Sequence, residues 1–491
     1  VKIKITDKKI YIISLLALLG IISAALRLYI NYSTEFMPGA VGAFYIVQVR
    51  SIIETGSLAF NEFPLIFYIE AVFAKAIIVF GQTNVDLAVN QAVKIFDGII
   101  PALSIYPAYF LIRKILGEKE NKFIVILISS LSVFYVSFFT LISDYQKNSL
   151  GLLWLFFLLL YVYKSLLHQK RKNFLLAFIF FALTGVTHFG CFAVALLFLS
   201  TLFTVKYFQN FTLKRLTRFT LEVFVVLILG AATIYYFSPD RIELILQIPS
   251  EIFHEPILLS ILKGKPLIST LDIINIMLVN FIAAAALYFF ATQKSSINSI
   301  DKIFFFSSII LSFILASPFL GVEWGQRLYL IAYIFTIPLI AFLFNRTERK
   351  IIKNVITISV ASIISASFLI SALTPQFSNM NREWYNELTG MKKYISKSKS
   401  TLVIARLGMH YWASWIFRTY IGQPGNVTPE WWTRIDNIYI LQQKNGALPF
   451  GTAGLYGKPF PEPDVPPKSD LLFEGKYFRL FLTHNPPESI K

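Results

Sequence analysis

The sequence predicts an all-α polytopic membrane protein with a small α/β domain at its C-terminal end. Three observations carry that expectation. Apolar runs of about 20 residues, the length that spans a bilayer, recur between residues 10 and 373. Lysine and arginine gather in every second connector between those runs. From residue 374 onward the apolar pattern breaks into short helical and strand-like pieces. The chain has 491 residues, 56% of them hydrophobic, and a formal net charge of +17. Most of that charge lies in short connectors, as the positive-inside bias requires, so no nucleic-acid partner is expected. The single cysteine, Cys191, leaves no intrachain disulfide to form.

Taken in order, the pattern gives eleven spans: 10–30, 87–112, 123–142, 149–167, 174–187, 191–205, 219–237, 271–291, 303–320, 328–344 and 351–373. The first follows a lysine-rich start and shows no cleavage site, so it reads as a retained helix. Connectors of one set hold 22 lysines and arginines against seven in the other, the tail left out. That bias puts the N-terminus in the cytoplasm and the tail outside, in an integral protein of the plasma membrane. The transmembrane domain is then 1–373, with a first outer loop at 31–86 and a second at 238–270. The extracytoplasmic domain is 374–491.

Two stretches test the count. Residues 63–80 are apolar enough to span, but a span there would put the basic connector 113–122 outside. This stretch also carries Glu70 and Lys75, and it reads as an interfacial helix introduced by Pro64. Residues 174–205 would make a helix of about 48 Å, against a core of about 30 Å. Both flanks are basic, so the chain must turn at Thr187-His188-Phe189-Gly190. Non-helical backbone at that depth is tolerated only inside protein or along a cavity. In the tail, 381–396 reads as a helix, and 401–405, 437–441 and 477–482 as strands. Trp412, Trp415, Trp431 and Trp432 read as interfacial aromatics or, alternatively, as sugar-stacking rings.

The polar groups of the outer connectors form one set. Glu35, Glu54 and Glu62 come from the first loop, and Asp144 and Lys147 from Ser143-Asp144-Tyr145-Gln146-Lys147-Asn148. His188 comes from the turn, Arg241 and His254 from the second loop, and Glu323 and Arg327 from the start of the tenth span. Acids and bases converging on one membrane face suit a reaction whose substrate hangs from a lipid. A carboxylate takes a proton from an acceptor hydroxyl, and cations hold a leaving phosphate.

Several motifs then carry a resemblance. The first loop has Phe44-Tyr45-Ile46-Val47-Gln48-Val49-Arg50, then Glu54-Thr55-Gly56, then Phe63-Pro64-Leu65-Ile66-Phe67-Tyr68. The second span has Lys94-Ile95-Phe96-Asp97-Gly98-Ile99-Ile100-Pro101. The tenth has Arg327-Leu328-Tyr329-Leu330, followed by Ile337-Pro338. Over roughly residues 10–345 the chain resembles membrane glycosyltransferases of the GT-C class, near the protein O-mannosyltransferase and lipid A aminoarabinose transferase branch. The resemblance implies a mannosyltransferase-like hexosyl transfer from a polyprenyl-phosphate-linked sugar to a glycan, lipid or protein acceptor, with inversion. The family's second acidic site matches Asp144, which would position a metal or the acceptor, while Glu35 is read as the catalytic base. Lys147, His188, Arg241, Glu323 and Arg327 would bind substrate or lipid phosphate. A divalent cation, Mg or Mn, is admitted, with Asp144 as a ligand.

One departure matters. The family carries an aspartate just before the tyrosine, whereas Pro38-Gly39-Ala40-Val41-Gly42-Ala43-Phe44-Tyr45 holds no acid. Glu35 is the nearest substitute; the rival is a catalytically silent scaffold. A lipid-linked-sugar flippase is the second rival, though no paired halves with broken helices are visible. Each residue also has a plainer reading. Glu35 could be a solvated loop acid, Asp144 a helix cap, His188 a satisfied core histidine and Arg327 a helix-end anchor. Asp97 is read as a structural partner of Lys94, and Glu54 and Glu62 as solvated.

Overall fold

The computed structural model describes residues 7–117, 120–209, 213–237, 252–264, 266–292, 297–374, 376–396, 400–422, 429–444 and 462–483. Arg241 lies outside them. The chain divides into two compact units. The first comprises Val1–Tyr29, Asn61–Ile66 and Ile95–Thr374; the second comprises Ile30–Phe60, Phe67–Lys94 and Pro375–Lys491.

The protein is mostly helical, and eight helices are long and apolar enough to cross a membrane: Ile10–Tyr32, Val85–Leu116, Lys122–Thr140, Gln146–His168, Phe189–Phe208, Thr270–Thr292, Val322–Arg346 and Lys350–Leu373. Eight of the eleven expected spans meet these length and composition limits among the described residues. The remaining three expected spans do form helices, Arg171–Thr187, Leu213–Phe237 and Ser299–Leu315. The first and last have 17 residues, or about 26 Å, a few Å short of the hydrocarbon core.

Along the chain, α1 is Asp7–Tyr32, α2 Gly42–Thr55, α3 Leu65–Val79, α4 Val85–Ile99, α5 Ile105–Leu116 and α6 Lys122–Phe134. Next come α7 Val136–Thr140, α8 Gln146–His168, α9 Arg171–Thr187 and α10 Phe189–Gln209. Two expected continuous spans are broken. The residues between α4 and α5 include a 3-10 turn, Pro101–Ser104, because a proline cannot donate into the ladder. Tyr135, in extended conformation, separates α6 from α7. The expected break at His188 is present: His188 is extended, and α10 starts at the next residue. α8 and α10 come close because Gly151 lacks a Cβ; one there would sit 2.6 Å from the Cys191 sulfur.

In the second unit, α2 ends on Gly56, whose φ of 80° lets its amide reach back to the Ile52 carbonyl at 3.0 Å. At 15 residues, α3 is about 22 Å long and too short to span. The tail forms a five-stranded sheet in the order β2-β1-β3-β5-β4, with β1 Thr401–Ala405, β2 Tyr420–Gly422, β3 Asn437–Gln443, β4 Asp470–Glu474 and β5 Phe478–Thr483. β1 runs parallel to β2 and β3, while β5 is antiparallel to β3 and β4. Leu402, Ile404, Ile438 and Ile440 make the core against which Trp432 and Phe481 pack. Trp412 is not at the surface as expected. It is 1% exposed, and its indole donates to Asn379 at 2.8 Å. Trp415 is buried beneath the Arg50 guanidinium, 4.1 Å from its ring.

Candidate functional site

At one end of the first unit, the turn that leads into α8 carries Asp144. Ser143, just before it, has φ 67°, a left-handed conformation that costs a non-glycine residue about 1–2 kcal/mol. A buried clamp holds it there. The Ser143 amide donates to Asp97 Oδ2 at 3.1 Å. Asp97 Oδ1 is ion-paired with Arg27 at 2.7 Å, and both side chains are fully buried. The same guanidinium donates to the Asp97 carbonyl at 2.9 Å, to Ser149 Oγ at 3.1 Å and to the Phe138 carbonyl. Ser149 Oγ in turn donates to the Leu141 carbonyl at 3.0 Å. One ion pair therefore ties α1, α4, α7 and α8 to the turn. Asp97 is thus the partner of Arg27, not of Lys94 as expected. The Lys94 ammonium donates to the carbonyls of Thr34 at 2.8 Å and Glu35 at 3.4 Å.

The N-cap position of α8 is Tyr145, whose own side chain makes no capping hydrogen bond. Tyr145 shows what gathers at this end. Burial raises the pKa of its phenol; Arg327 lowers it, and Asp144 and Asp272 raise it further. Asp272 opens the helix Thr270–Thr292 in a reciprocal cap with Ser269, with both bonds at 3.1 Å. The Tyr329 hydroxyl donates to the same carboxylate. Arg327, on the first turns of the helix Val322–Arg346, pairs with Glu323 at 3.2 Å. Its side chain is 44% exposed, yet Nε is buried with no hydrogen-bond partner among the described residues.

Lys147 bridges to Glu62 at 2.8 Å, and Glu62 is buried, against the expectation that it is solvated. His188 closes α9; its Nδ1 accepts from the Cys191 amide at 3.2 Å. His254 is exposed, on the segment before Pro256, whose neighbour Ile257 donates to the Leu320 carbonyl at 3.0 Å. In the second unit, Glu35 is half-exposed and ion-paired with Arg382. Its loop is pinned by Gly39 N to the Phe377 carbonyl and by Asn379 to the Ala40 carbonyl, both at 2.7 Å. Glu54 pairs with Arg418 at 3.0 Å.

Among the described residues, no three His, Cys, Asp or Glu side chains come close enough together to hold a metal ion.

Sequence reasoning missed Arg27, Asp272 and Gln146. An arginine inside an apolar span is itself a signal, and Ser269-x-x-Asp272 is a legible capping box. Gln146 is 1% exposed, and neither heteroatom of its amide has a protein partner among the described residues. Leaving a buried amide so costs roughly 1–3 kcal/mol.

The sequence matches no protein-family model and none of the curated proteins. Among solved structures, the fold is similar to the crystal structure of the Archaeoglobus fulgidus oligosaccharyltransferase in complex with Zn and sulfate. The TM-score is 0.51 at 12% identity, over 86% of this chain and 67% of that one. At that identity the likeness is one of fold: a polytopic helical protein with a small sheet domain near its C-terminus.

Proposed function

We propose that this protein is a GT-C-type membrane glycosyltransferase of the hexosyltransferase class, taking a sugar from a polyprenyl-phosphate carrier and passing it to an acceptor at the outer membrane face. The observation that carries the reading is the placing of Asp144 on a turn held by a buried ion pair, next to Tyr145, on which the charges of Arg327 and Asp272 also act. The likeness of fold to an oligosaccharyltransferase supports it. The acceptor hydroxyl attacks the anomeric carbon, and its proton passes to a carboxylate. The bond from that carbon to the phosphate oxygen breaks, and its electron pair leaves with the carrier phosphate. Arg327, its Nε unpaired, faces that charge. A single displacement of this kind inverts the anomeric centre.

Asp144 is the base in this reading, because its turn is clamped, while Glu35 has Arg382 as its counter-ion. Lys147, paired with Glu62, and His188, bonded to the Cys191 amide, shape the site around these groups; Glu323 orients Arg327. A divalent cation, Mg or Mn, would add positive charge beside the carrier phosphate, with Asp144 as the residue that would hold it. The partners are the lipid-linked sugar, a glycan, lipid or protein acceptor, and the membrane lipids. Residues 1–373 form the membrane domain of a plasma-membrane protein, and 374–491 face outward. A reporter fused after Leu373 should be active only in an exported compartment; cytoplasmic activity would reverse the topology.

The decisive experiment incubates the purified chain with radiolabelled polyprenyl-phosphate hexoses and measures release of free carrier phosphate. Acceptor-dependent release is expected. A catalytically silent scaffold is the second reading, favoured by the pairing of Glu35 with Arg382 and by the absence of an acid from 36–45. Binding without release would select it, and movement of intact carrier across a vesicle membrane would select a flippase.

A further inference from the structure

Resting on the reading above, we infer that Gln146 is a specificity-determining residue that recognises hydroxyl groups on the sugar of the carrier-linked donor. Gln146 is the first residue of α8 and lies two positions past Asp144. Its side chain is 1% exposed, and both Oε1 and Nε2 lack a protein partner among the described residues. The backbone that carries it is fixed from behind: Ser143 is tied to Asp97 at 3.1 Å, and Ser149 to Arg27 at 3.1 Å. The amide is therefore a preorganised donor and acceptor at a helix start whose N-cap residue, Tyr145, makes no side-chain capping bond.

The chemistry of the amide selects the ligand. A phosphate offers acceptors only and would leave Oε1 buried and unmatched. A sugar hydroxyl both donates and accepts, so two neighbouring hydroxyls satisfy both ends of the carboxamide. The phosphate has its own partner in Arg327, whose field reaches Tyr145, the residue next to Gln146. Phosphate and sugar are thus read by different side chains. A site built to bond hydroxyls rejects analogues that lack them far more strongly than an apolar pocket rejects an extra group.

The test uses the full chain in lipid nanodiscs and measures dissociation constants for bare polyprenyl phosphate, for polyprenyl-phosphate glucose, galactose and mannose, and for the deoxy analogues of whichever binds tightest. Wild type should prefer one sugar carrier over the bare carrier and lose roughly 10–100-fold when the recognised hydroxyl is removed. Gln146→Met should lose the preference between hydroxy and deoxy carriers and keep its affinity for the bare carrier, without melting earlier than wild type. Gln146→Glu, which keeps acceptors and loses the amide donor, should retain part of the preference. A Gln146→Met protein that discriminates as wild type does overturns the inference and leaves the glycosyltransferase reading standing. So does a wild type that binds sugar and bare carriers equally. A wild type that binds no carrier at all overturns the reading itself, and the inference with it.

Discussion

Replacing Asp97 tests the clamp beneath Asp144 most directly. Arg27 and Asp97 are both fully buried and 2.7 Å apart. Asp97→Leu leaves a buried guanidinium without its counter-ion, which costs about 3–5 kcal/mol. Replacing both partners with apolar residues of similar volume is close to neutral. The melting order should therefore be wild type and Arg27→Met/Asp97→Leu together at the top, with Asp97→Leu well below. Asp97→Asn should lie between, since it loses the ion pair and keeps an acceptor for the Ser143 amide. Turnover should follow a different order. In the double variant the Asp97 acceptor for the Ser143 amide is gone, and relaxing the φ 67° conformation there recovers about 1–2 kcal/mol. The turn that carries Asp144 then drifts, and release of carrier phosphate should fall even though the protein melts normally. Asp97→Asn should turn over faster than the double variant despite being less stable. Thermal unfolding in detergent, read by circular dichroism, and single-turnover release give the two orders. A double variant that is both stable and fully active would refute the positioning argument. An Asp97→Leu protein that melts with wild type would refute the ion pair.

Arg327→Lys should leave melting nearly unchanged, because its half-exposed pair with Glu323 is worth at most roughly 0.5 kcal/mol. Turnover should fall, since lysine cannot reproduce the two-pronged grip on a phosphate; wild-type turnover would leave Arg327 as a helix-end anchor. Asp144→Asn should lose about 10²–10⁴-fold in transfer if it is the base, and Glu35→Gln much less, given its pairing with Arg382. A dead Glu35→Gln beside an active Asp144→Asn would return the role to Glu35. His410 is buried in the second unit, and burial lowers its pKa to about 4 from an ordinary 6.5. The unfolded chain therefore takes up the proton first as pH falls. About 3 kcal/mol of stability, fully present above pH 6.5, should drain away as pH falls toward 4. Thermal melts across that window should flatten in His410→Phe, and an unchanged slope would place the pH dependence elsewhere.

The helices, the break at His188 and three of the five strands were legible because each is a local pattern. Apolar runs mark helices, Gly56 closes α2, and short runs such as 401–405 and 437–441 mark strands. β2 has three residues and β4 lacks alternation, so neither left a periodic trace. Pairings were not legible where partners lie far apart in sequence. Asp97 was matched to Lys94 because they lie one helical turn apart; its true partner is 70 residues away. Lys147 and Glu62 come from different connectors, and nothing in either segment announces the other. Trp412 looked like a surface ring until Asn379 was placed against its indole.

Those pairings also narrow the candidate site. Read as a sequence, the outer connectors offer a pool of interchangeable acids and bases. In the fold, Lys147 answers Glu62, Arg382 answers Glu35 and Arg418 answers Glu54. Each of these charges is balanced by a neighbour, which makes it a weaker base or a weaker grip on an incoming phosphate. Arg327 differs because its ion pair is the half-exposed one within its own helix, and its Nε has no hydrogen-bond partner among the described residues. Asp144 differs because the backbone on its N-terminal side is bolted to a buried ion pair. A transferase needs a cation free to take up a leaving phosphate and a carboxylate held still against an attacking hydroxyl. In the proposed reading Arg327 and Asp144 take these two roles, and both charges act on the phenol of Tyr145.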